Sequence, residues 1–510
     1  MCPWGRARTG RRRVISPSGS LPSWHTARMR RLHLAVIPAA AVLLAGCASA
    51  AAIPETRDQS TALPFNGCET SACVGEINGA AYEILMPETW NGTLLLYSHG
   101  YRPAEPFPPN FNPVVTTATP VPGWDSGDKS LGEALLQRGY ALAGSSYASN
   151  GWAVEDGVRA GEEIYALFTE QIGTPKRVYV WGDSLGGLIT QTLAEKAEWV
   201  DGAAPLCGVM AGLEPNIGLA LDTAYGVQQL MYPEMEVAGY ESYEDALASW
   251  EGAASLLIES ARDQDTDAIA RILTIAAMVD APSQTYTYDG TSIVSTVSGT
   301  IESLLTALAY GTVGRQEIDA RYGGSVVGNV DSDYASRLDD AERTAIDAIG
   351  GEGAADRFVA ILDNGPRVEA DPAAQAAAIE KGGNPSGAVK VPTITMHTKA
   401  DPLVIVQNQT FFRDRYVTQQ EAGNVRGGLV QLYTVPPPEY SQETGAPYGA
   451  GHCNFTPQSR IAVIELLDNW VRNGVHPGPV AIEKAMGLES GYNAIYSPGP
   501  WPNANAVLTQ

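Results

Sequence analysis

The sequence predicts an α/β fold, with a mostly parallel central sheet, helices on both faces and a large helical insertion after the sixth strand. Three observations point there. Between residues 80 and 207, short apolar runs alternate with segments of helical period, as strand–helix–strand crossovers require. Between 213 and 390 only the helical period continues. From 391 the alternation of strand and helix resumes.

The ends of the chain fall outside this pattern. Residues 1–46 hold eight Arg and no acid. Arg28, Arg30 and Arg31 precede an apolar stretch, 32–46, that is short for a bilayer span and ends in Leu44-Ala45-Gly46-Cys47. This resembles a bacterial lipoprotein signal, in which the chain is cut before the Cys and the Cys is lipidated. The expectation is therefore a signal peptide over 1–46, Met29 as the true start with 1–28 as upstream translation, and a lipid on Cys47. A secretory signal cut at Ala48-Ser49-Ala50 is the alternative, and both imply export to the cell surface or beyond. Residues 47–74 read as a tether and 475–510, rich in Pro and Gly, as an irregular tail.

Charge excludes two classes of partner. The net charge of the chain is -24; without the eight leader Arg, 25 basic residues face 57 acidic ones. So acidic a protein is not built for nucleic acid or for an anionic membrane surface. A small-molecule or peptide substrate is expected, with membrane contact only through the lipid. Beyond the leader, four cysteines remain: Cys68, Cys73, Cys207 and Cys453. Cys68–Cys73 is a locally easy disulfide, which leaves Cys207–Cys453. No Cys-x-x-Cys or His cluster points to a metal, and no cofactor is implied.

Each element has its own justification. Residues 80–86 read as a first strand, with a turn at 87–92. Residues 93–97 form a buried strand followed by Ser98-His99-Gly100-Tyr101. The Pro-rich segment 103–123 is irregular and expected near the cleft. A short helix (131–138), a strand (140–146) and an amphipathic helix (157–172) follow. Val178-Tyr179-Val180-Trp181 is β-branched and aromatic, a strand, and 185–198 is a helix rich in Leu, Ala and Glu. Another apolar strand spans 200–207. In 213–390, helices are expected at 219–231, 246–262, 267–279, 301–310, 340–349 and 357–362. Residues 391–397 and 429–435 are the last strands, separated by a helix at 408–421 and followed by one at 456–471. The core is thus 75–212 plus 391–474. Met210, Met231, Met235 and Met278 read as packing.

Between the strand at 178–181 and its helix stands Gly182-Asp183-Ser184-Leu185-Gly186, a Gly-x-Ser-x-Gly pentapeptide. A strand that turns straight into a helix leaves no room for side chains two positions either side of the apex, and glycine supplies it. Ser184 is left exposed at a strained tip, with the Leu185 N–H at the helix start. The letters Gly-Asp-Ser-Leu also suggest a GDSL hydrolase. That class carries its motif near the mature N-terminus with an Asp-x-x-His near the C-terminus, and no His here has Asp three residues before it.

A serine needs a base, and the base needs a carboxylate to fix its tautomer. Of six histidines, His25 and His33 lie in the leader and His476 in the tail. His99 precedes the turn and is expected to hold its loop. His397 opens the loop after a strand and is expected to bond within it. His452 remains, in the Gly-rich loop Gly449-Ala450-Gly451-His452-Cys453-Asn454 after the last strand. Asp401 follows the strand before that. All three candidates, Ser184, Asp401 and His452, come at the ends of parallel strands, which share one edge of a sheet.

This order, with His99-Gly100, Gly-x-Ser-x-Gly-Gly, the Asp loop and Gly451-His452, resembles the α/β-hydrolase superfamily over about 75–212 and 391–474. The resemblance implies an oxyanion hole from the Tyr101 and Leu185 N–H groups and a lid formed by 213–390. Tannase- and feruloyl-esterase-like enzymes also carry a large insertion there, but place Cys beside both Ser and His. Here only His452 has such a neighbour, and Ser184 follows Asp183, so that resemblance is weaker. The expected activity is an exported serine hydrolase, first a carboxylic ester hydrolase working through an acyl-enzyme. The alternative is an aminopeptidase of the same fold, which would need a lid carboxylate to hold a substrate amine; Glu234, Glu236, Glu241, Glu244 and Asp245 are candidates. A third reading is an inactive lipoprotein that binds a ligand in the cleft.

Overall fold

The apolar runs of the sequence become adjacent strands of one sheet in a computed structural model that describes residues 72–286, 288, 292–440 and 447–502. The strands are β1 (Ala72–Ile77), β2 (Ala80–Leu85), β3 (Thr93–Ser98), β4 (Ala141–Ser145), β5 (Arg177–Asp183), β6 (Gly202–Leu206), β7 (Thr393–Thr398) and β8 (Leu429–Thr434). Their order across the sheet is β1-β2-β4-β3-β5-β6-β7-β8. β1 and β2 are antiparallel to their neighbours, and from β4 to β8 every pairing is parallel. β3, β4, β6 and β7 are buried at every position; β3, β4 and β6 carry mostly apolar runs, whereas β7 alternates threonine with Ile394 and Met396.

Helices α1 (Ser130–Gln137), α2 (Val154–Gln171) and α3 (Leu185–Lys196) connect the strands up to β6. Between β6 and β7 run α4 (Leu213–Leu230), α5 (Tyr243–Arg262), α6 (Thr266–Met278), α7 (Ile293–Ala309), a π-helical turn at Tyr310–Gly314, α8 (Arg315–Tyr322), α9 (Asp340–Gly350), α10 (Ala354–Asn364) and α11 (Pro372–Lys381). After β7 come α12 (Asn408–Glu421), α13 (Pro457–Asn473) and α14 (Pro479–Met486).

The pleat of β5 explains the two layers. Val178 and Val180 point into one core with Ile164 and Phe168 of α2 and Leu188 and Leu193 of α3. Tyr179 and Trp181 point into the other, with Leu131 and Leu135 of α1 and Ile461 and Ile464 of α13. Helices therefore cover both faces of a mostly parallel sheet, as the alternation predicts.

Several elements differ from expectation: α4 and α7 begin earlier, at Leu213 and Ile293, and α8 is an added helix. The tether was expected to reach residue 74, but Ala72–Val74 already belong to β1. This edge strand is half exposed and holds Gly75, so it has no apolar run; its signal is the Asn78-Gly79 pair, where both residues have positive φ in a two-residue hairpin turn. The tail was expected to be irregular, yet α14 buries Ile482 and Met486, and Tyr492 bridges to Thr434 at the end of β8. Finally, α11 escaped detection because it is alanine-rich, with only Ala374 and Ala378 buried.

Candidate active site

The turn between β5 and α3 has room for no side chain but that of its serine. A Cβ on Gly182 would lie 2.5 Å from the Ser98 carbonyl oxygen, and one on Gly186 would lie 1.9 Å from the same atom. Ser184 itself sits at φ 58°, ψ -124°, a conformation that costs an L-residue about 1–3 kcal/mol. Its N–H donates to Leu206 O at 2.9 Å, which anchors the turn to the end of β6. Leu185 is the first residue of α3, so its N–H has no acceptor within the helix.

The loop after β3 lies directly against this turn. A Cβ on Gly100 would come within 3.3 Å of Ser184 Cβ, so a side chain there would press on the serine. His99 is a strut of this loop. It is buried, stacks on Tyr147 at 3.8 Å, and its Nδ1 donates to Gly100 O at 2.7 Å. Tyr147 Oη donates to His99 O at 3.0 Å. Burial, then the nearby Arg102, push the His99 pKa down to about 3, so it stays neutral.

Asp401 is fully buried in the loop after β7. Its Oδ1 accepts the N–H groups of Leu403 and Val404, each at 2.9 Å. His452 Nδ1 lies 2.8 and 3.0 Å from its two oxygens. A carboxylate can only accept, so Nδ1 carries the proton and Nε2 keeps its lone pair. Burial raises the Asp401 pKa, but His452, His397 and the Val404 N–H outweigh it and hold the carboxyl below the ordinary range. The second histidine on this loop, His397, is equally buried; its Nε2 donates to Val404 O at 2.8 Å and lies 3.6 Å from Asp401. Burial pushes its pKa down too, so it braces the loop as a neutral ring.

The His452 loop is held from both sides. Gly451 N–H donates to Ala400 O at 2.8 Å, which ties it to the Asp401 loop. From the helical segment, Tyr286 Oη accepts the His452 N–H at 3.2 Å, and the Tyr286 ring covers Gly451 so closely that a Cβ there would lie 2.2 Å from it. Cys453 and Cys207 are joined by a disulfide, with Cα atoms 5.4 Å apart. Sequence spacing brings three sulfur and nitrogen atoms of Cys207, His452 and Cys453 within 4.8 Å, but the disulfide takes both sulfurs out of metal ligation. The Cys68–Cys73 pairing and the Cys47 lipid site involve Cys68 and Cys47, which lie outside the described residues.

Asp401 and His452 are thus in direct contact. Among the described residues no hydrogen bond joins Ser184 Oγ to His452, whose Nε2 faces Cys453 Sγ at 3.3 Å. Such contacts are often long before substrate arrives. Ser184, Leu185 and Tyr101 line one cavity. Its far walls are Ile217 and Ala220 of α4, Pro282, and Ala307 of α7. Three polar side chains on those walls are engaged within the fold: Thr223 Oγ1 donates to Leu219 O, Ser303 Oγ to Pro282 O, and Asn216 Nδ2 to Gly212 O. No residue lining the cavity is acidic. Glu234, Glu236, Glu241, Glu244 and Asp245 are exposed and lie elsewhere.

Two lining groups went unnoticed in the sequence. Tyr310 opens the π-helical turn and forms an aromatic cluster with Tyr101 (5.3 Å) and Phe107 (4.9 Å). Phe107 lies in the Pro-rich segment and packs on both tyrosines. Trp152 is the other; no period or motif marks it.

The strand order, the helices on both faces and the glycine-flanked serine turn after β5 define the α/β-hydrolase fold. No family model matches the chain, and no curated protein does. Solved structures do. Feruloyl esterase B from Aspergillus oryzae is 14% identical over 80% of this chain and 80% of its own, with a TM-score of 0.38. A second esterase from Aspergillus oryzae is 15% identical, with 82% and 85% coverage and a TM-score of 0.35. The rice cell wall degrading esterase LipA from Xanthomonas oryzae is 15% identical, with 74% and 92% coverage and a TM-score of 0.33.

Proposed function

We propose that the chain is an exported serine hydrolase that cleaves carboxylic esters of apolar acids. The observation that carries this reading is the pairing of His452 Nδ1 with the buried Asp401 on loops of the sheet edge where Ser184 opens into an apolar, acid-free cavity. Ser184 Oγ attacks the ester carbonyl carbon while His452 Nε2 takes its proton. The Tyr101 and Leu185 N–H groups receive the oxyanion, each donor typically worth about 3 kcal/mol. The carbon–oxygen bond to the alcohol breaks, and the alcohol leaves with the proton from His452. Water, deprotonated by His452, then attacks the acyl-enzyme and releases the acid. Asp401 orients the imidazole throughout. The scheme uses only side chains and main-chain donors of this chain.

The mostly aliphatic and aromatic lining of the cavity favours a largely apolar acyl group. The aminopeptidase alternative lacks, on those walls, the carboxylate it would use to hold an amine. Export fits a disulfide in the folded domain, and an N-terminal lipid on Cys47 supplies the proposed membrane contact.

A panel of p-nitrophenyl esters of rising chain length, aryl esters and aminoacyl anilides tests the reading, together with a fluorophosphonate probe. Turnover of apolar esters and labelling of Ser184 are expected. Ser184→Ala should abolish both while the melting temperature stays near wild type. Hydrolysis that persists in Ser184→Ala removes the nucleophile from the scheme, and anilides cleaved faster than matching esters make it a peptidase.

A further inference from the structure

We infer that Asp183 and Arg460 form a positioning brace that fixes the proposed nucleophile relative to the proposed base; the inference rests on the triad reading above. Asp183 is the residue before Ser184. Its two carboxylate oxygens accept from Arg460 Nη1 at 2.6 and 2.8 Å. The side chains are 12% and 9% exposed, so the pair is almost wholly shielded from water. The other terminal nitrogen, Arg460 Nη2, donates to the main-chain carbonyl of Cys453 at 3.0 Å. Cys453 is the residue after His452. One guanidinium therefore holds the neighbour of the serine and the neighbour of the histidine, which belong to segments 277 positions apart along the ion pair.

A second tie leaves the same residue in another direction. The Cys453 side chain is bonded to Cys207, and Cys207 directly follows Leu206, whose carbonyl receives the Ser184 N–H at 2.9 Å. The main chain of Cys453 is thus bound to the residue preceding the serine, and its side chain to the strand end that anchors the serine's own N–H. Cys453 has φ 53° and Ser184 φ 58°. One planar guanidinium thus joins the residue before Ser184 to the residue after His452. Arg460 itself is fixed on the first turn of α13, with Phe455 under its guanidinium at 5.4 Å.

Stability alone does not account for this arrangement. A buried ion pair seldom outperforms apolar residues of similar volume. What an apolar pair could not do is reach the Cys453 carbonyl. A misplacement of the base by about 1 Å costs a nucleophile–base pair roughly a hundredfold in rate. The positions that the guanidinium joins are those that set this distance.

The test compares wild type with Asp183→Leu/Arg460→Met, Asp183→Asn and Arg460→Lys, using p-nitrophenyl butyrate, thermal melting and fluorophosphonate titration of active sites. Ser184→Ala runs alongside. The apolar double variant should fold, because no charge is left buried and unpaired. Its kcat should fall roughly tenfold to a hundredfold with KM changed less than about threefold, the signature of lost transition-state geometry. Arg460→Lys keeps the charge beside Asp183 but has no second nitrogen for the carbonyl, so its kcat should fall within the same range. Folded double variant with wild-type kcat overturns the brace; so does Arg460→Lys with wild-type kcat. Should the double variant not fold, Asp183→Asn, which keeps the shape of the side chain, is judged by the same kcat criterion. Hydrolysis by Ser184→Ala overturns the triad reading instead, whatever the brace variants do.

Discussion

At the scale of single residues, the site is a set of groups whose neighbours leave each one a single state. Two oxygens of Asp401 are occupied by two main-chain N–H groups and by His452 Nδ1. The carboxylate can therefore act only as an anchor that keeps the proton on Nδ1. Asp401→Asn offers an amide that either donates to Nδ1 or presents its oxygen without the charge. The expected result is a loss of roughly 10³–10⁴ in kcat with little change in KM, read from steady-state ester hydrolysis. His99 and His397 are legible in the sequence only as histidines beside strands. What separates them from His452 is burial: both are sealed and neutral, whereas the His452 side chain is 17% exposed. Sequence position suggests that division of roles, but only coordinates show Gly100 O and Val404 O as the partners that hold those two rings.

At the scale of elements, the turn after β5 was legible because its motif is local. Strand, two flanking glycines and helix are consecutive, so the motif shows in the sequence even though Ser98 on β3 supplies much of the steric exclusion. The walls of the cavity were not legible, because they are made by elements far apart in sequence. Tyr101, Phe107 and Tyr310 meet through three separate segments, and a π-helical turn in a long apolar helix leaves no mark on a periodicity of 3.6. β1 was missed for another reason. Its edge position asks for no buried face, so the Asn78-Gly79 turn carried the signal without an apolar strand to support it.

The junction of α6, α9 and the Asp401 loop yields a prediction of its own. Asp280, just past the end of α6, accepts from Gln407 Nε2 at 3.1 Å. Burial, then the charge of Glu342 on α9, raise its pKa to about 6. With the folded value above the unfolded one of 3.8, the folded chain binds the extra proton between them. Asp280 therefore weighs against the fold above pH 6 and ceases to do so as the pH falls toward 4. Asp280→Asn keeps an oxygen for Gln407 and removes the charge. It should stabilise the protein by on the order of 1–3 kcal/mol at pH 8, with the gain vanishing near pH 4, as measured by denaturant unfolding at both pH values.

At the scale of the whole molecule, the disulfide closes the longest loop with a covalent bond: Cys207 and Cys453 are 246 positions apart. In the chain-entropy account, a link across so long a loop contributes on the order of 2–5 kcal/mol by restricting the unfolded chain. Cys207→Ala/Cys453→Ala should melt well below wild type, and a reductant should depress the melting temperature of wild type but leave this variant's unchanged with respect to that bond. Equal melting of the oxidised wild type and the variant would remove the disulfide from the stability of the domain.

The split of the chain at β6 has a consequence in time. Serine, turn and four parallel strands can exist once residue 206 has been made, but the proposed acid and base lie beyond the helical segment, at 401 and 452. At 5–20 residues per second, roughly 15–50 s separate synthesis of Ser184 from that of His452. During that interval the nascent chain carries a serine without a partner, and any product that terminates before residue 391 carries none at all. Under the proposed mechanism such fragments are inert. Under that mechanism, activity arises only once residue 452 has been added and folded against the earlier strands.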